Sequence, residues 1–486
     1  MALNTPVFLF LFLPVFLLIY LLAGKAYRNL ALLVFSLIFF AWGEPFYFPV
    51  ILGLSLLNLL FFRWMKRKLP GSLTGKRILT LGISFNVVSL LIFKLLSTYG
   101  EGWFALMTGK GIVLPAWMTF LLPFSFHLPL GASFFSFAAI SMLADGYRSS
   151  ELVDANSGDV LNYLLMFPKL IAGPIVRFKE ILQQIREREW GWSELEVGIQ
   201  RFVIGFAKKT LIADQLALIT DRGIFTESPS HIPLGIAWLT VISFSLQIYY
   251  DFSGYTDMAL GLGRMFGFRF MENFDYPYIS KSITEFWRRW HISLSTWFRD
   301  YIFYPLERRR QEIPYLNQSL NIMIVFLLTG LWHGITLPFI VWGLLHGLAL
   351  ALERGRWSVW LSKLWRPLQH VYALALIMIG WVFFRSPTID YACKLIKALL
   401  GFLPSISRIP YSVFPPVANL TWIALAVGVL FSIPLSAPLR RRVDMAAARH
   451  PVLFAWVRNA FLILLFIAGM AAQAGANYQP FIYGEF

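Results

Sequence analysis

Apolar runs of spanning or near-spanning length recur from one end of this 486-residue chain to the other. Inside a bilayer no water satisfies exposed backbone N–H and C=O groups, so such runs close their hydrogen bonds internally, as helices do. The composition agrees, with 58% of residues hydrophobic and 14% charged, against about 45–50% and about 25% in soluble domains. No polar segment between the runs is long enough for a soluble domain of ordinary size. The expected architecture is all-α, a single membrane-embedded domain over residues 1–486.

The runs cover 7–22, 29–42, 46–62, 78–96, 112–126, 133–143, 163–172, 233–250, 320–332, 337–351, 371–384, 420–433 and 453–472. Several fall short of the roughly 20 residues that a perpendicular helix needs. Short runs imply tilted or re-entrant elements, which persist at membrane depth only when buried in protein or lining a cavity. A polytopic bundle of roughly 11–13 spans is expected, with re-entrant and interfacial helices. The first run has neither a basic region before it nor a cleavage site after it, so it is expected to stay as a helix.

A net charge of +16 comes from short basic clusters between the runs, the pattern of cytoplasmic loops rather than of a nucleic-acid surface. Lys25 and Arg28 follow the first run, Glu44 the second, and Arg63, Lys66, Arg67, Lys68, Lys76 and Arg77 the third. That alternation puts the N-terminus outside and the 63–77 loop in the cytoplasm. The lone Cys393 excludes an intramolecular disulfide and any multi-cysteine metal site.

Two stretches interrupt the apolar pattern. Residues 145–221 carry Phe167-Pro168-Lys169-Leu170-Ile171-Ala172-Gly173-Pro174 and then an amphipathic segment with Glu180, Arg186, Glu187, Arg188 and Trp190, read as a helix along the cytoplasmic surface. Residues 251–310 crowd aromatic and charged groups together, from Asp251-Phe252-Ser253-Gly254-Tyr255-Thr256-Asp257 to Glu285-Phe286-Trp287-Arg288-Arg289-Trp290-His291-Ile292-Ser293-Leu294-Ser295. Ionisable groups are too costly near lipid to sit there without a role. Gly261-Leu262-Gly263-Arg264-Met265-Phe266-Gly267 lacks a Rossmann strand context and reads as small-residue helix packing.

Histidine offers the best acid/base chemistry. His333 ends the nearly uncharged run 322–332, where an imidazole can act as a base. On one continuous helix at about 100° per residue, His333 and His346 would face apart. His291 belongs to a different element and could meet His333 across a cavity. No recognisable motif supplies a carboxylate as third metal ligand beside either, and no Gly-x-Ser-x-Gly elbow occurs. Metal and serine chemistry are therefore set aside in favour of histidine acting on two bound substrates.

The blocks Leu128-Pro129-Leu130-Gly131-Ala132-Ser133-Phe134-Phe135, Leu170-Ile171-Ala172-Gly173-Pro174, Asp251–Asp257, Glu285–Asp300 and Leu331-Trp332-His333-Gly334 resemble, in order and spacing, consecutive blocks of the membrane-bound O-acyltransferase family, most closely its bacterial branch that O-acetylates extracytoplasmic polysaccharide. The resemblance implies a ring of tilted helices around a central tunnel in which a cytosolic acyl donor meets an acceptor from the far side. It implies that His333 is the catalytic base and that His291 lies beside the reaction centre, orienting the acyl group or stabilising the oxyanion, with Trp332 walling the pocket. Acetyl-CoA is the implied donor, with no bound cofactor and no metal. The implied partners are the lipid bilayer of a bacterial inner membrane, a periplasmic or membrane-anchored acetyltransferase, and a polysaccharide such as alginate, cellulose or peptidoglycan.

Arg288, Arg289, Lys208 and Lys209 are candidates for the CoA phosphates, and Asp251 is a further candidate for substrate contact. Tyr483, in the terminal Pro480-Phe481-Ile482-Tyr483-Gly484-Glu485-Phe486, is either an interfacial anchor or, by resemblance, an acyl carrier. After Asp300 the chain carries Leu306-Glu307-Arg308-Arg309-Arg310 where the alginate branch has a Gly-Gly-Asn-Arg turn, which leaves the acceptor open. A transporter using Asp251, Asp257 and the Arg288-Arg289 pair, or a noncatalytic scaffold of an export complex, are the competing readings; neither would consume a thioester.

Overall fold

The computed structural model describes residues 2–66, 72–109, 127–170, 173–220, 232–310, 317–402 and 418–475, and every regular element among them is helical. Among the described residues, four helices are long and apolar enough to cross a bilayer unaided: Phe48–Lys66, Leu73–Gly100, Arg366–Arg385 and Pro451–Gly475. Leu337–Leu352 reaches that length only together with Arg356–Lys363, across an 82° bend. Phe8–Leu22, Arg28–Gly43, Gln318–His333 and Asn419–Phe431 are apolar but shorter, as the short runs lead one to expect. The expected run 112–126 lies outside the described residues. The chain is an all-α polytopic bundle.

The described residues fall into two compact units, one built from 2–194 and 266–270, the other from 195–265 and 271–475. In the first, the helices are α1 (Leu13–Leu22), α2 (Arg28–Gly43), α3 (Phe48–Lys66), α4 (Leu73–Gly109), α5 (Ala132–Arg148), α6 (Ser157–Leu165) and α7 (Phe178–Glu187). Its core is aromatic: the Phe16 ring lies 5.5 Å from Phe167 and 4.7 Å from Phe266. The amphipathic α7 buries Ile181, Leu182 and Ile185 against its neighbours and exposes Lys179, Gln183, Arg186 and Glu187, so its two faces separate as the sequence pattern requires.

The second unit contains α8 (Trp192–Ala207), α9 (Leu234–Met265), α10 (Ile283–Arg289), α11 (Ile292–Phe298), α12 (Gln318–His333), α13 (Leu337–Leu352), α14 (Arg366–Arg385), α15 (Asn419–Phe431) and α16 (Pro451–Gly475). The apolar run expected to stop at residue 250 continues as the 32-residue α9. It continues because its carboxylates are neutralised: Asp251 takes Lys209 at 2.6 Å, and Asp257 takes Lys208 at 2.7 Å and Arg201 at 2.7 Å.

Where α8 crosses α9, backbone meets backbone. A Cβ built on Gly205 would fall 2.5 Å from the Gly254 carbonyl oxygen, and one on Gly198 would fall 2.7 Å from that of Gly261. Close approach of this kind is the packing available where lipid removes the hydrophobic drive between helices, and it bears out the reading of Gly261 as a packing glycine. Gly205→Val must push the helices apart, and a loss of about 1–3 kcal/mol or more is expected from overpacking. Thermal unfolding in detergent should show a lower midpoint than wild type. Gly53→Val, with nothing within 4 Å of the new carbon, should melt normally; equal midpoints for the two variants would remove the seam.

Candidate active site

The site grows from the N-terminus of α10. Its first amides are capped from outside the helix: the Ile283 and Thr284 N–H groups donate to the two carboxylate oxygens of buried Glu353, each at 2.7 Å, and the Tyr372 hydroxyl donates to Glu353 at 3.2 Å. A carboxylate at a helix N-terminus is favoured by both the orphan amides and the helix dipole. Ser282 Oγ accepts the Glu285 N–H at 3.0 Å, a side-chain N-cap. At the other end Trp290 packs into Phe274, Phe286 and Trp381 at ring separations of 5.0, 5.6 and 5.0 Å.

That anchorage fixes His291, which with Trp290 links α10 to α11. Its φ of 45° lies in the left-handed region, where a non-glycine residue needs support from its surroundings. Support comes from residue 273, whose carbonyl accepts the Ile292 N–H at 3.0 Å and whose side-chain oxygen lies 3.1 Å from His291 Nδ1. The ring stands edge-on to Phe252 at 4.7 Å and is 1% exposed. Burial pushes its imidazole down to about 3, so it stays neutral.

His333 is the last residue of α12, followed by the turn that reverses the chain into α13. The hairpin closes tightly: a Cβ on Gly330 would fall 2.5 Å from the Phe339 carbonyl oxygen and one on Gly343 2.4 Å from that of Phe326. The buried His333 ring sits 5.0 Å from both Trp342 and Phe384 and 4.5 Å from Trp332. Trp332 also neighbours His291, at 6.3 Å, so one indole borders both imidazoles. His346 does not face away from His333 as a continuous helix would require. The turn at Gly334 breaks the helix, and both rings pack against Trp342, His346 at 5.2 Å, where His346 Nδ1 accepts the Trp287 Nε1–H at 3.3 Å.

Beside this cluster lies a cavity of about 650 Å³. Its cationic rim is Lys281, Arg288, Arg299 and Arg354, and Leu294, Ile322 and Val325 make its apolar wall. Ser295 and Thr329 in that wall are each one helical turn from His291 and His333. The imidazoles themselves are not part of the lining.

Of the residues singled out in the sequence, His291, Trp332 and His333 come together, and Arg288 reaches the cavity. Arg289 is held by Asp275 at 2.6 Å and Glu285 at 3.0 Å. The Asp251 carboxylate is engaged with Lys209, which also meets Asp214 at 2.7 Å. Tyr483 lies outside the described residues. Asn273 and Glu353 were not foreseen; nothing in their spacing marks them, since each acts on residues distant in sequence.

The family model described as "MBOAT, membrane-bound O-acyltransferase family" matches residues 130–384, a stretch that holds both imidazoles and the whole cavity lining. The probable alginate O-acetylase of Pseudomonas putida is 37% identical over 512 residues, covering all of both chains. The peptidoglycan O-acetyltransferase of Helicobacter pylori is 32% identical, with 82% of this chain and 79% of the relative aligned. The teichoic acid D-alanyltransferase of Streptococcus thermophilus is 29% identical, with 66% of this chain and 84% of the relative aligned.

Proposed function

The chain belongs to the membrane-bound O-acyltransferase family, and on that premise we propose that it takes acetyl groups from acetyl-CoA at the cytoplasmic side of a bacterial inner membrane and passes them outward to O-acetylate an extracytoplasmic polysaccharide. The whole chain works as one membrane-embedded domain, handing the acetyl group to a periplasmic or membrane-anchored acetyltransferase partner. One observation carries this function: two buried imidazoles share Trp332 beside an apolar cavity with a cationic rim.

The rim suits the phosphates of CoA, which arginine engages through paired N–H donors, and the apolar wall suits the pantetheine arm and the acetyl group. His333 serves as general base, drawing the proton from the accepting hydroxyl as its oxygen attacks the thioester carbonyl and the CoA thiol leaves. Holding donor and acceptor in one pocket supplies much of the remaining acceleration. The polysaccharide acceptor rests on the relatives, two of which are named for O-acetylation of alginate and peptidoglycan.

Proteoliposomes given acetyl-labelled CoA, the acetyltransferase partner and a polysaccharide acceptor should lose thioester and gain alkali-labile ester. Arg288→Ala should raise the KM for acetyl-CoA several-fold, with a smaller change in turnover. Transport of label with the thioester intact would replace catalysis by a carrier function.

A further inference from the structure

The protonation of His291 can be read from its neighbours. Asn273 Oδ1 accepts the Ser293 backbone N–H at 3.1 Å and the Ser293 hydroxyl at 2.9 Å. A backbone amide can only donate, so the Asn273 atom at this point is its carbonyl oxygen and not its NH₂. The NH₂ end points instead to Thr256 Oγ1, at 3.5 Å. Because Oδ1 is an acceptor and His291 Nδ1 lies 3.1 Å from it, Nδ1 must carry the proton.

The other nitrogen of a neutral imidazole is then a bare lone pair. His291 Nε2 is buried and has no hydrogen-bond partner among the described residues. In this form it cannot donate to a carbonyl oxygen or an oxyanion; it can only accept.

We propose that Asn273 is a positioning residue that holds His291 in its Nδ1–H tautomer, so that Nε2 accepts a hydrogen bond from a hydroxyl of the acceptor rather than donating one to the thioester. The assignment rests on the acyl-transfer function above and differs from the oxyanion role that the family resemblance implied. The left-handed backbone at His291 and the Ile292 N–H bond to the Asn273 carbonyl keep the ring in register with the side-chain amide, so the same residue sets both orientation and tautomer.

Solid-state NMR of the histidine-labelled protein in nanodiscs tests this without requiring turnover, the His291 signals being identified by their absence in His291→Gln. Wild type should show the Nδ1–H form. Asn273→Asp, which retains the accepting oxygens, should keep it, and Asn273→Leu should shift His291 toward Nε2–H. With acetyl-CoA and alginate as probe substrates, Asn273→Leu should lower turnover by about 10²-fold at an unchanged KM for acetyl-CoA, and Asn273→Asp should recover part of the loss. An Nε2–H His291 in wild type overturns the proposal even if the protein transfers acetyl groups, and so does an Asn273→Leu variant with both tautomer and turnover intact. Should Asn273→Leu fail to fold, the wild-type and Asn273→Asp spectra still decide.

Discussion

Replacing His333 with alanine is expected to lower acetyl transfer by about 10²–10⁴-fold, the range that a positioned general base contributes. The protein should still insert, with a melting point reduced by no more than the small void left among Trp332, Trp342 and Phe384 demands. His333→Phe separates chemistry from packing, because it refills the aromatic cage without restoring a base. His346→Ala is the matched control: an equally buried imidazole that also packs against Trp342 and is bonded to Trp287. It should cost stability and spare turnover. Normal transfer by His333→Phe would remove the base from this residue.

Methionine at Lys209 is expected to destabilise the protein by about 3–5 kcal/mol, the loss seen when one partner of a buried ion pair is deleted. Its ammonium lies 2.6 Å from Asp251 and 2.7 Å from Asp214, and both Lys209 and Asp251 are almost wholly enclosed. Removing the cation leaves the Asp251 carboxylate of α9 buried without its Lys209 counter-charge. The companion variant Asp251→Asn decides what that carboxylate does. A lowered melting point with a normal KM in the surviving protein makes it part of the scaffold, whereas a normal melting point with a raised KM makes it a substrate contact.

Much of the architecture was legible because hydropathy is a local property. The runs 320–332 and 337–351 correspond to Gln318–His333 and Leu337–Leu352 within a residue or two at each end. α9 was cut short in the sequence because Asp251 and Asp257 look like breaks, and the lysines that neutralise them, Lys208 and Lys209, lie on a separate element. The pairing is tertiary and leaves no periodic trace. The same limit hid Asn273 and Glu353, whose partners sit at His291 and Ser293 in one case and at Ile283 and Thr284 in the other. His333 and Trp332 were visible because the motif around them is contiguous. Their relation to His346 was not, since it depends on a turn rather than on helical phase.

The glycine seam between α8 and α9 also bears on how this sequence can drift. Ordinary cores change by compensation, one side chain growing while its neighbour shrinks. At Gly205 facing Gly254 and Gly198 facing Gly261 neither member has a side chain left to give up, so no second substitution across the seam can make room for the first. These four positions should vary least in any lineage that keeps the helix crossing. Selection at the seam would favour small volume over chemical character, independently of which acceptor the enzyme serves.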